Sequence, residues 1–384
     1  MGALTALDED QQLFADSVFG WATQHIGPHV AAMDENAQFH DSIVPGLFEM
    51  GLMGIEVPEQ YGGAGADIFT ACLAIEALAR VDPAVSVLCD VQNTLVNNAL
   101  FRWGTDEQKE RILPKMCTEW VGSYCLSEAG SGSDAFALRC KAERRGDKWV
   151  LNGTKLWITN AKEASIFLIL ANTDFDKGYK GITAFLVYKD NPGLSLGKKE
   201  DKLGIRASST CEVILEDCEV SDADVLGAVG VGYKVAIETL NEGRIGIGAQ
   251  MIGLAQGAFD YAMNYIMERE QFGKPVASFQ GMQFQYAQLA TEIEAARLLV
   301  YNAAQLKMAG RPFLKEAAMA KLYTSRVAEQ TASMCIEFMG GVGFTKEYAA
   351  EKFYRDAKIG SIYEGTSNMQ LMTIAKLLTA EYAK

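Results

Sequence analysis

Residues 166–188 read IFLILANTDFDKGYKGITAFLVY. Two short runs within them, 166–171 and 182–188, are rich in β-branched or aromatic residues, and a polar stretch with two glycines separates them. Such runs predict strands. Similar runs at 121–126, 138–143, 149–152 and 210–215 predict further strands, and a hairpin is expected at residues 144–149. No helical pattern alternates with these strands, which argues against a parallel sheet and favours a compact, antiparallel β lobe.

On both sides of this β lobe the apolar residues recur at helical spacing. Before it, helices are expected from an apolar stripe that runs from Leu13 to Ile26 and at 42–50, 68–80, 91–103 and 106–116. After it, they are expected at 233–270, 279–309, 312–339, 346–355 and 368–381, with Pro312 in the first turn of its helix. The predicted fold is α+β in the order α, β, α, with domains at 1–120, 121–228 and 229–384.

Composition excludes several classes of protein. The 35 Lys and Arg residues against 49 Asp and Glu residues leave a net charge of −14, which argues against a nucleic-acid partner. No apolar run approaches the roughly 18 residues of a membrane span. The eight cysteines contain no C-x-x-C pair, and the three histidines lie within one short N-terminal stretch. This pattern disfavours a disulfide framework, a metal site or a histidine-based triad.

Phosphate-binding fingerprints of the common kinds are missing. Residues 130–134, GSGSD, lack the third glycine of a Rossmann motif, and Gly273-Lys274 runs into a proline instead of the Ser or Thr of a P-loop. Residues 126–134 nevertheless follow a predicted strand with small and hydroxyl side chains. That composition suits the binding of an anion or a ring edge, and it is equally compatible with a surface turn.

Two charged motifs are candidates for chemistry. Residues 241–244, NEGR, lie early in a long apolar helix and fit an internal ion pair as well as a ligand contact. Glu364 lies between Tyr363 and Gly365, just before residues that can cap the last helix. A carboxylate among apolar groups has a raised pKa and can act as a general base near neutral pH, whereas a solvated loop glutamate would not.

Five motifs in this order together resemble the acyl-CoA dehydrogenase family over essentially the whole chain. They are 124–134 (YCLSEAGSGSD), 151–160 (LNGTKLWITN), 269–274 (REQFGK), 335–343 (CIEFMGGVG) and 355–366 (RDAKIGSIYEGT). Residues 51–56, 206–211 and 241–247 are similar to the branch of that family that acts on short and 2-methyl-branched acyl-CoA.

The resemblance implies an N-terminal helical lobe, a middle β-barrel-like lobe and a C-terminal four-helix bundle, with FAD between the lobes and at a subunit interface. It also implies dehydrogenation of an acyl-CoA thioester to trans-2-enoyl-CoA. By this resemblance Glu364 is expected to remove the α-proton while hydride passes from the β-carbon to flavin N5. The backbone N–H of the base and a flavin ribose hydroxyl are then expected to polarise the thioester carbonyl. A minority of the family carries the base immediately before the arginine of the 241–244 motif. That position is Gly243 here, and Glu242 is one residue away, which favours Glu364.

Binding residues follow from the same resemblance. FAD contacts are expected from Tyr124, Cys125, Leu126, Ser127, Gly132, Ser133, Trp157, Ile158, Thr159, Thr366, Ser367 and Asn368. Contacts to the FAD of a neighbouring subunit are expected from Arg269, Gln280, Glu337, Phe338, Met339, Gly340 and Gly341. Substrate contacts are expected from Ser133, Tyr179, Tyr233, Asn241, Glu242, Gly243 and Arg244.

The resemblance further implies electron-transferring flavoprotein as the electron acceptor and a homotetramer. The expected location is the mitochondrial matrix for a eukaryotic source, the acidic N-terminus then belonging to the mature chain, and the cytoplasm otherwise. Three alternatives stay open at this point. They are an oxidase that passes electrons to O₂, a branched enoyl-CoA reductase that uses the same site in reverse, and a non-catalytic CoA- or flavin-binding relative.

Overall fold

The computed structural model describes residues 4–383, and the N-terminal lobe is helical. The first helix begins with a capping box between Asp8 and Gln11 and ends where Gly27 and Pro28 impose a 3₁₀ turn. The helices are α1 (Glu9–His25), α2 (Val30–Asn36), α3 (Ile43–Glu49), α4 (Ile68–Ala79), α5 (Pro83–Asp90), α6 (Asn98–Trp103) and α7 (Asp106–Thr118). A π-helix, Val91–Asn97, connects α5 to α6 and is buried throughout. Within residues 4–383 no helix is long and apolar enough to cross a bilayer.

The middle lobe contains one sheet. Its strands are β1 (Val121–Cys125), β2 (Lys141–Arg145), β3 (Lys148–Ile158), β4 (Ala164–Asn172), β5 (Ile182–Tyr188), β6 (Leu194–Lys199), β7 (Cys211–Ser221) and β8 (Val225–Leu226). The order is β6-β7-β3-β2-β4-β5-β8, and β1 pairs with β4. The β2–β3 hairpin confirms the prediction at residues 144–149. The pairings are antiparallel except β1 with β4 and a single β2–β4 contact, which are parallel and were not predicted.

Residues 166–171 are apolar throughout because both faces of β4 are buried. Ile166, Leu168 and Leu170 belong to the core shared with the helical lobes. Phe167 and Ile169 alternate with them and pack in a second core inside the β lobe. A strand buried on one face would show alternating polarity instead.

The C-terminal lobe is a bundle of long helices. Its elements are α8 (Gly232–Glu268), β9 (Glu270–Gln271), β10 (Lys274–Pro275), α9 (Gln280–Met308), α10 (Leu314–Met339), α11 (Ala350–Ala357) and α12 (Ser367–Tyr382). Helix α8 packs against α10 and against α4 of the N-terminal lobe. The α, β, α order is confirmed, and the domain boundaries at 120/121 and 228/229 stay predictions.

Several predicted elements differ in detail. The continuous helix expected at 91–103 is a π-helix followed by α6, and α2 and α5 were not predicted. Helix α5 starts because Asp82 accepts hydrogen bonds from the backbone N–H groups of Ala84 and Val85 around Pro83. Helix α10 begins at Leu314, so the prediction that Pro312 lies in its first turn is wrong.

Candidate active site

Glu364 lies in a tight turn immediately before α12. Its φ is +50° and that of Gly365 is +84°, and a non-glycine residue adopts this left-handed region only where its surroundings hold it. Gln370 Nε2 donates to the carbonyls of Glu364 at 3.1 Å and Gly365 at 2.9 Å. Lys321 Nζ donates to the Gly365 carbonyl at 2.8 Å. Two side chains of fully buried residues therefore fix the turn from the bundle side.

The Glu364 carboxylate is withdrawn from water although the residue as a whole is partly exposed. Its Oε2 is buried and has no hydrogen-bond partner among residues 4–383. Burial raises the pKa of this carboxyl to about 7, while the positive charges of Lys321 and Arg244 act in the opposite direction. A carboxylate with such a pKa can take up a proton near neutral pH. Within the described residues the backbone N–H of Glu364 donates no hydrogen bond, so it is available to an acceptor on a ligand.

Gly243 on α8 lies directly against this carboxylate. A Cβ at position 243 would lie 2.9 Å from Glu364 Oε2 and 2.8 Å from Leu95 Cδ2 on the π-helix. The absence of a side chain at Gly243 therefore leaves the space that Oε2 occupies. The position that the sequence analysis considered for an alternative base is in this way the immediate neighbour of Glu364.

A second acidic residue, Asp90, faces the same region from the end of α5. It is buried, and its Oδ1 accepts a hydrogen bond from Thr94 Oγ1 at 2.8 Å. Burial raises the pKa of Asp90 well above its ordinary value, the Thr94 hydrogen bond opposes that shift, and the charge of Glu364 adds to it. Burial therefore favours the neutral form of the Asp90 carboxyl.

Glu242 points away from this region. Its carboxylate oxygens accept from Asn98 and Arg102 of α6 and from Lys307 Nζ of α9, the last at 2.6 Å. With both oxygens engaged and 1% of the residue exposed, Glu242 ties the N-terminal lobe to the bundle. This is the internal ion pair that the sequence analysis left open, and the carboxylate is not free for a substrate.

Unlike Glu242, Asn241 and Arg244 lie on the same side of α8 as the candidate site. Arg244 Nη1 donates to Asn241 Oδ1 at 3.1 Å, and Arg244 Nε is buried without a partner among the described residues. Burial lowers the pKa of Arg244, with the charge of Glu364 raising it. A guanidinium with an unused buried donor can bind a carbonyl or anion of a ligand.

The loop after β1 is braced by a buried ion pair. Lys155 Nζ donates to Glu128 Oε1 at 2.7 Å and to the Leu126 carbonyl at 3.1 Å. The Glu128 carboxylate also accepts the backbone N–H groups of Arg139 and Cys140 at 2.6 and 3.0 Å. These contacts join the two ends of the 128–139 segment, while no atom lies within 4 Å of a Cβ placed on Gly132.

The other middle-lobe candidates fall into two groups. The side chains of Cys125 and Ile158 lie in the β-lobe core, so only their backbone can reach a ligand. The Tyr124 hydroxyl is buried without a partner in the described chain. Trp157 is 60% exposed with φ at +63°, and the neighbouring Thr159 carbonyl accepts a hydrogen bond from Ser123 Oγ at 2.8 Å. An exposed indole on a strained backbone offers a flat apolar surface to a ligand.

Two further groups of candidates lie at the starts of helices. Thr366 caps α12 by accepting from Met369 N at 3.4 Å, so Ser367 and Asn368 open a helix of 16 residues. Such a helix start favours anions. The rings of Tyr179 and Tyr233 pack edge to face with centroids 4.9 Å apart, where α8 begins.

The remaining candidates lie apart from Glu364. Arg269, Gln280, Glu337, Gly340 and Gly341 are exposed, at the β9–β10 hairpin and the adjoining ends of α9 and α10, while Phe338 and Met339 are buried there. No hydrogen bond or ion pair within residues 4–383 joins the side chains of this group to the Glu364 turn. Phe272 at the hairpin tip is 94% exposed.

Sequence reasoning missed Lys321, Asp90 and Leu95. Lys321 follows AAMA in an apolar stretch of α10, and a lone lysine on a buried face is the signal that could have identified it. For Asp90 and Leu95 the sequence offers no such signal, because Asp90 ends α5 and Leu95 lies within the π-helix that was not predicted.

Comparisons with known proteins agree over the whole chain. Models for the N-terminal, middle and C-terminal domains of acyl-CoA dehydrogenases match residues 8–119, 123–218 and 230–379. A probable short/branched chain specific acyl-CoA dehydrogenase of Dictyostelium discoideum is 59% identical over 382 residues, covering 99% of this chain and 92% of that protein. The mitochondrial short/branched chain specific acyl-CoA dehydrogenase of Rattus norvegicus is 56% identical over 378 residues, covering 98% and 87%.

Solved structures of acyl-CoA dehydrogenases and related proteins are similar to this chain over nearly its whole length. Butyryl-CoA dehydrogenase from Megasphaera elsdenii has a TM-score of 0.96 at 37% identity and covers 99% of this chain and 100% of that one. A chain from a structure of the electron transferring flavoprotein of Acidaminococcus fermentans has a TM-score of 0.96 at 41% identity, covering 97% and 99%. An acyl-CoA dehydrogenase complexed with FAD from Bacillus anthracis has a TM-score of 0.91 at 29% identity, covering 98% of this chain and 68% of that one.

Proposed function

The chain belongs to the acyl-CoA dehydrogenase family and is an oxidoreductase, and from this premise we propose that it oxidises short or 2-methyl-branched acyl-CoA thioesters to trans-2-enoyl-CoA with Glu364 as the base. The observation that carries the proposal is the Glu364 turn. It presents a carboxyl whose pKa burial raises to about 7 beside a glycine that leaves space for it. The substrate class follows the names of the relatives from Dictyostelium discoideum and Rattus norvegicus.

The chemistry requires a base close to the α-carbon and a donor to the thioester oxygen. An α-proton next to a thioester is only weakly acidic, so negative charge that develops on the carbonyl oxygen must be stabilised as the proton leaves. The free backbone N–H of Glu364 supplies one donor at the base itself. Glu364 then holds the proton on its carboxylate, shielded from water by the apolar groups around it.

We propose FAD as the cofactor, in keeping with the flavoenzymes among the structural neighbours. The residues present fit a flavin nucleotide, because the buried Tyr124 hydroxyl lacks a partner in the described chain, Gly132 is open and α12 starts directly after the Glu364–Gly365 turn. The middle-lobe contacts would come from Tyr124–Ser127, Gly132, Ser133 and Trp157–Thr159, with Thr366–Asn368 from the bundle. When bound, the flavin accepts the hydride that leaves the β-carbon.

Tyr179, Tyr233, Asn241, Gly243, Arg244 and Ser133 are proposed to bind the substrate, whereas the paired carboxylate of Glu242 supports their position. We also propose a homotetramer, in which the exposed Arg269, Gln280 and Glu337–Gly341 region reaches the FAD of a neighbouring subunit. Electron-transferring flavoprotein is the proposed acceptor, which the Acidaminococcus fermentans structure supports. For a eukaryotic source the proposed location is the mitochondrial matrix, by analogy with the relative from Rattus norvegicus.

The test of the base is Glu364→Gln. The amide keeps the shape of the carboxylate but cannot take the α-proton, so we expect the variant to purify yellow and to lose turnover by about 10³-fold or more. Flavin reduction by acyl-CoA is followed anaerobically at 450 nm. Undiminished bleaching in the variant would show that Glu364 is not the base.

The test of the substrate class is the same bleaching measured with butyryl-, isobutyryl-, isovaleryl- and 2-methylbutyryl-CoA. We expect the highest kcat/KM for butyryl- or 2-methylbutyryl-CoA. An optimum for isovaleryl-CoA would contradict the proposed class and leave the base assignment untouched.

A further inference from the structure

Lys321 is a buried lysine behind the Glu364 turn that the proposed reaction has not yet used. It lies in the middle of α10, and none of its surface is exposed. Its ammonium donates to one acceptor among residues 4–383, the Gly365 carbonyl at 2.8 Å. In the described chain no carboxylate oxygen lies within 4 Å of this nitrogen, in contrast to the ion-paired lysines elsewhere. An ammonium with a single hydrogen bond is costly to bury, so its presence requires a compensating role.

The charged groups around it indicate that role. Glu364 on the turn and Arg244 on α8 are the charged groups that act on Lys321. The charges of Lys321 and Arg244 likewise act on Glu364. Three further ionisable groups face that carboxyl, namely Asp90 on α5, Tyr124 on β1 and Tyr363 in the turn itself. Of these, only Lys321 also holds the backbone of the turn.

We propose that Lys321 is a positioning residue for the base, whose buried ammonium fixes the Glu364–Gly365 turn through the Gly365 carbonyl and supplies a positive charge that favours the ionised form of the Glu364 carboxylate. The inference rests on the proposed role of Glu364. Two features support it independently. The turn needs external support because Glu364 has a positive φ, and burial opposes ionisation of its carboxyl, against which the charge of Lys321 acts.

Because Gln370 also supports the turn, the electrostatic role of Lys321 can be separated from its structural role. Gln370 Nε2 donates to both carbonyls of the turn, so the turn retains support when the Lys321 ammonium is removed. The remaining effect of that removal is the loss of positive charge near Glu364. Without it, the pKa of Glu364 moves further up, and a larger fraction of the base is protonated at pH 7.

The experiment is the pH dependence of kcat/KM in Lys321→Met, with the holoenzyme and butyryl-CoA. We expect the acid limb to move to higher pH by about one unit, which lowers activity about fivefold at pH 7 and restores it toward the wild-type value at pH 9. A residue that only holds the turn would lower activity by the same factor at every pH. The matched control is Lys315→Met on the same helix, whose ammonium pairs with Glu381 at 2.6 Å at the protein surface and whose loss leaves the acid limb in place.

A second variant keeps the proposal testable if the methionine variant does not fold. In Lys321→Ala the removed chain leaves a cavity, and ethylamine in the assay is expected to return the acid limb toward its wild-type position. An acid limb at the wild-type pH in either variant without amine overturns the inference. Glu364→Gln is measured in parallel. If it is inactive and the acid limb of the Lys321 variants is unmoved, only the proposed role of Lys321 is rejected. If Glu364→Gln is active, the proposal that Glu364 is the base is rejected.

Discussion

Lys155 in the middle lobe and Lys321 in the bundle are both completely buried, and each lies behind a loop of the candidate site. Lys155 reaches a carboxylate at 2.7 Å and a carbonyl at 3.1 Å. Lys321 reaches one carbonyl, and burial lowers its pKa to about 8, the charge of Glu364 partly opposing this. A fully paired charge stabilises the fold, whereas a charge without a close counterion changes the pKa of the nearest group that can ionise.

The largest difference between the two lysines is expected in stability. Lys155→Met leaves the Glu128 carboxylate buried without its counterion, and breaking such a pair costs about 3–5 kcal/mol in unfolding free energy. Lys321→Met removes one hydrogen bond together with a poorly compensated charge, so we expect its unfolding free energy to stay within about 1 kcal/mol of wild type. Chemical denaturation of both variants measures the two values.

Lys148→Met on the same strand is the control, because its ammonium pairs with Glu219 at the surface and its loss leaves the unfolding midpoint nearly unchanged. If Lys155→Met proved as stable as Lys321→Met, the distinction between the two lysines would fail.

A smaller effect is expected from filling the space beside the base. Gly243→Ala places a Cβ against both Glu364 Oε2 and Leu95, and overpacking of this kind costs about 1–3 kcal/mol. Because the displaced group is the carboxylate that removes the proton, we expect kcat to fall about tenfold. Steady-state kinetics with Gly20→Ala as the control, where a Cβ meets nothing within 4 Å, measure the effect. Unchanged kcat in Gly243→Ala would show that the turn is not held against α8.

The smallest effect is expected at Asp90. Burial raises its pKa well above the ordinary value and favours the neutral carboxyl, so we expect Asp90→Asn to leave the charge of the site as it was. We expect the acid limb of kcat/KM to stay in place. A shift of that limb to lower pH would mean that Asp90 is an anion in the wild type, since removing an anion lowers the pKa of Glu364. Lys321 and Arg244 would then not be the only charges that set it.

The order of helical and β-rich regions could be predicted from periodicity because each element buries a face with its own repeat. Strand β5 was predicted with the observed bounds, Ile182–Tyr188. The π-helix at Val91–Asn97 could not be predicted, since its seven residues, three apolar and four polar, do not by their types distinguish a π-helix from an α-helix.

The residues of the candidate site likewise divide into those that the sequence identifies and those whose role depends on the fold. Glu364 is identified by the 355–366 motif, in which it lies between Tyr363 and Gly365. Glu242, one residue from Gly243, follows the same motif but faces Asn98, Arg102 and Lys307, because on a helix adjacent residues point in directions about 100° apart.

The sequence by itself therefore determined the family, the α, β, α order and the residue proposed as the base, since these depend on local patterns and short motifs. Only the tertiary structure decided what surrounds that base. Lys321 lies 43 positions before Glu364 in the numbering and Gly243 121 before it, and their effect on the carboxylate depends on distance in space, burial and the direction of each side chain. Those quantities arise when α8, α10 and the turn before α12 pack together, which the sequence pattern of each segment does not contain.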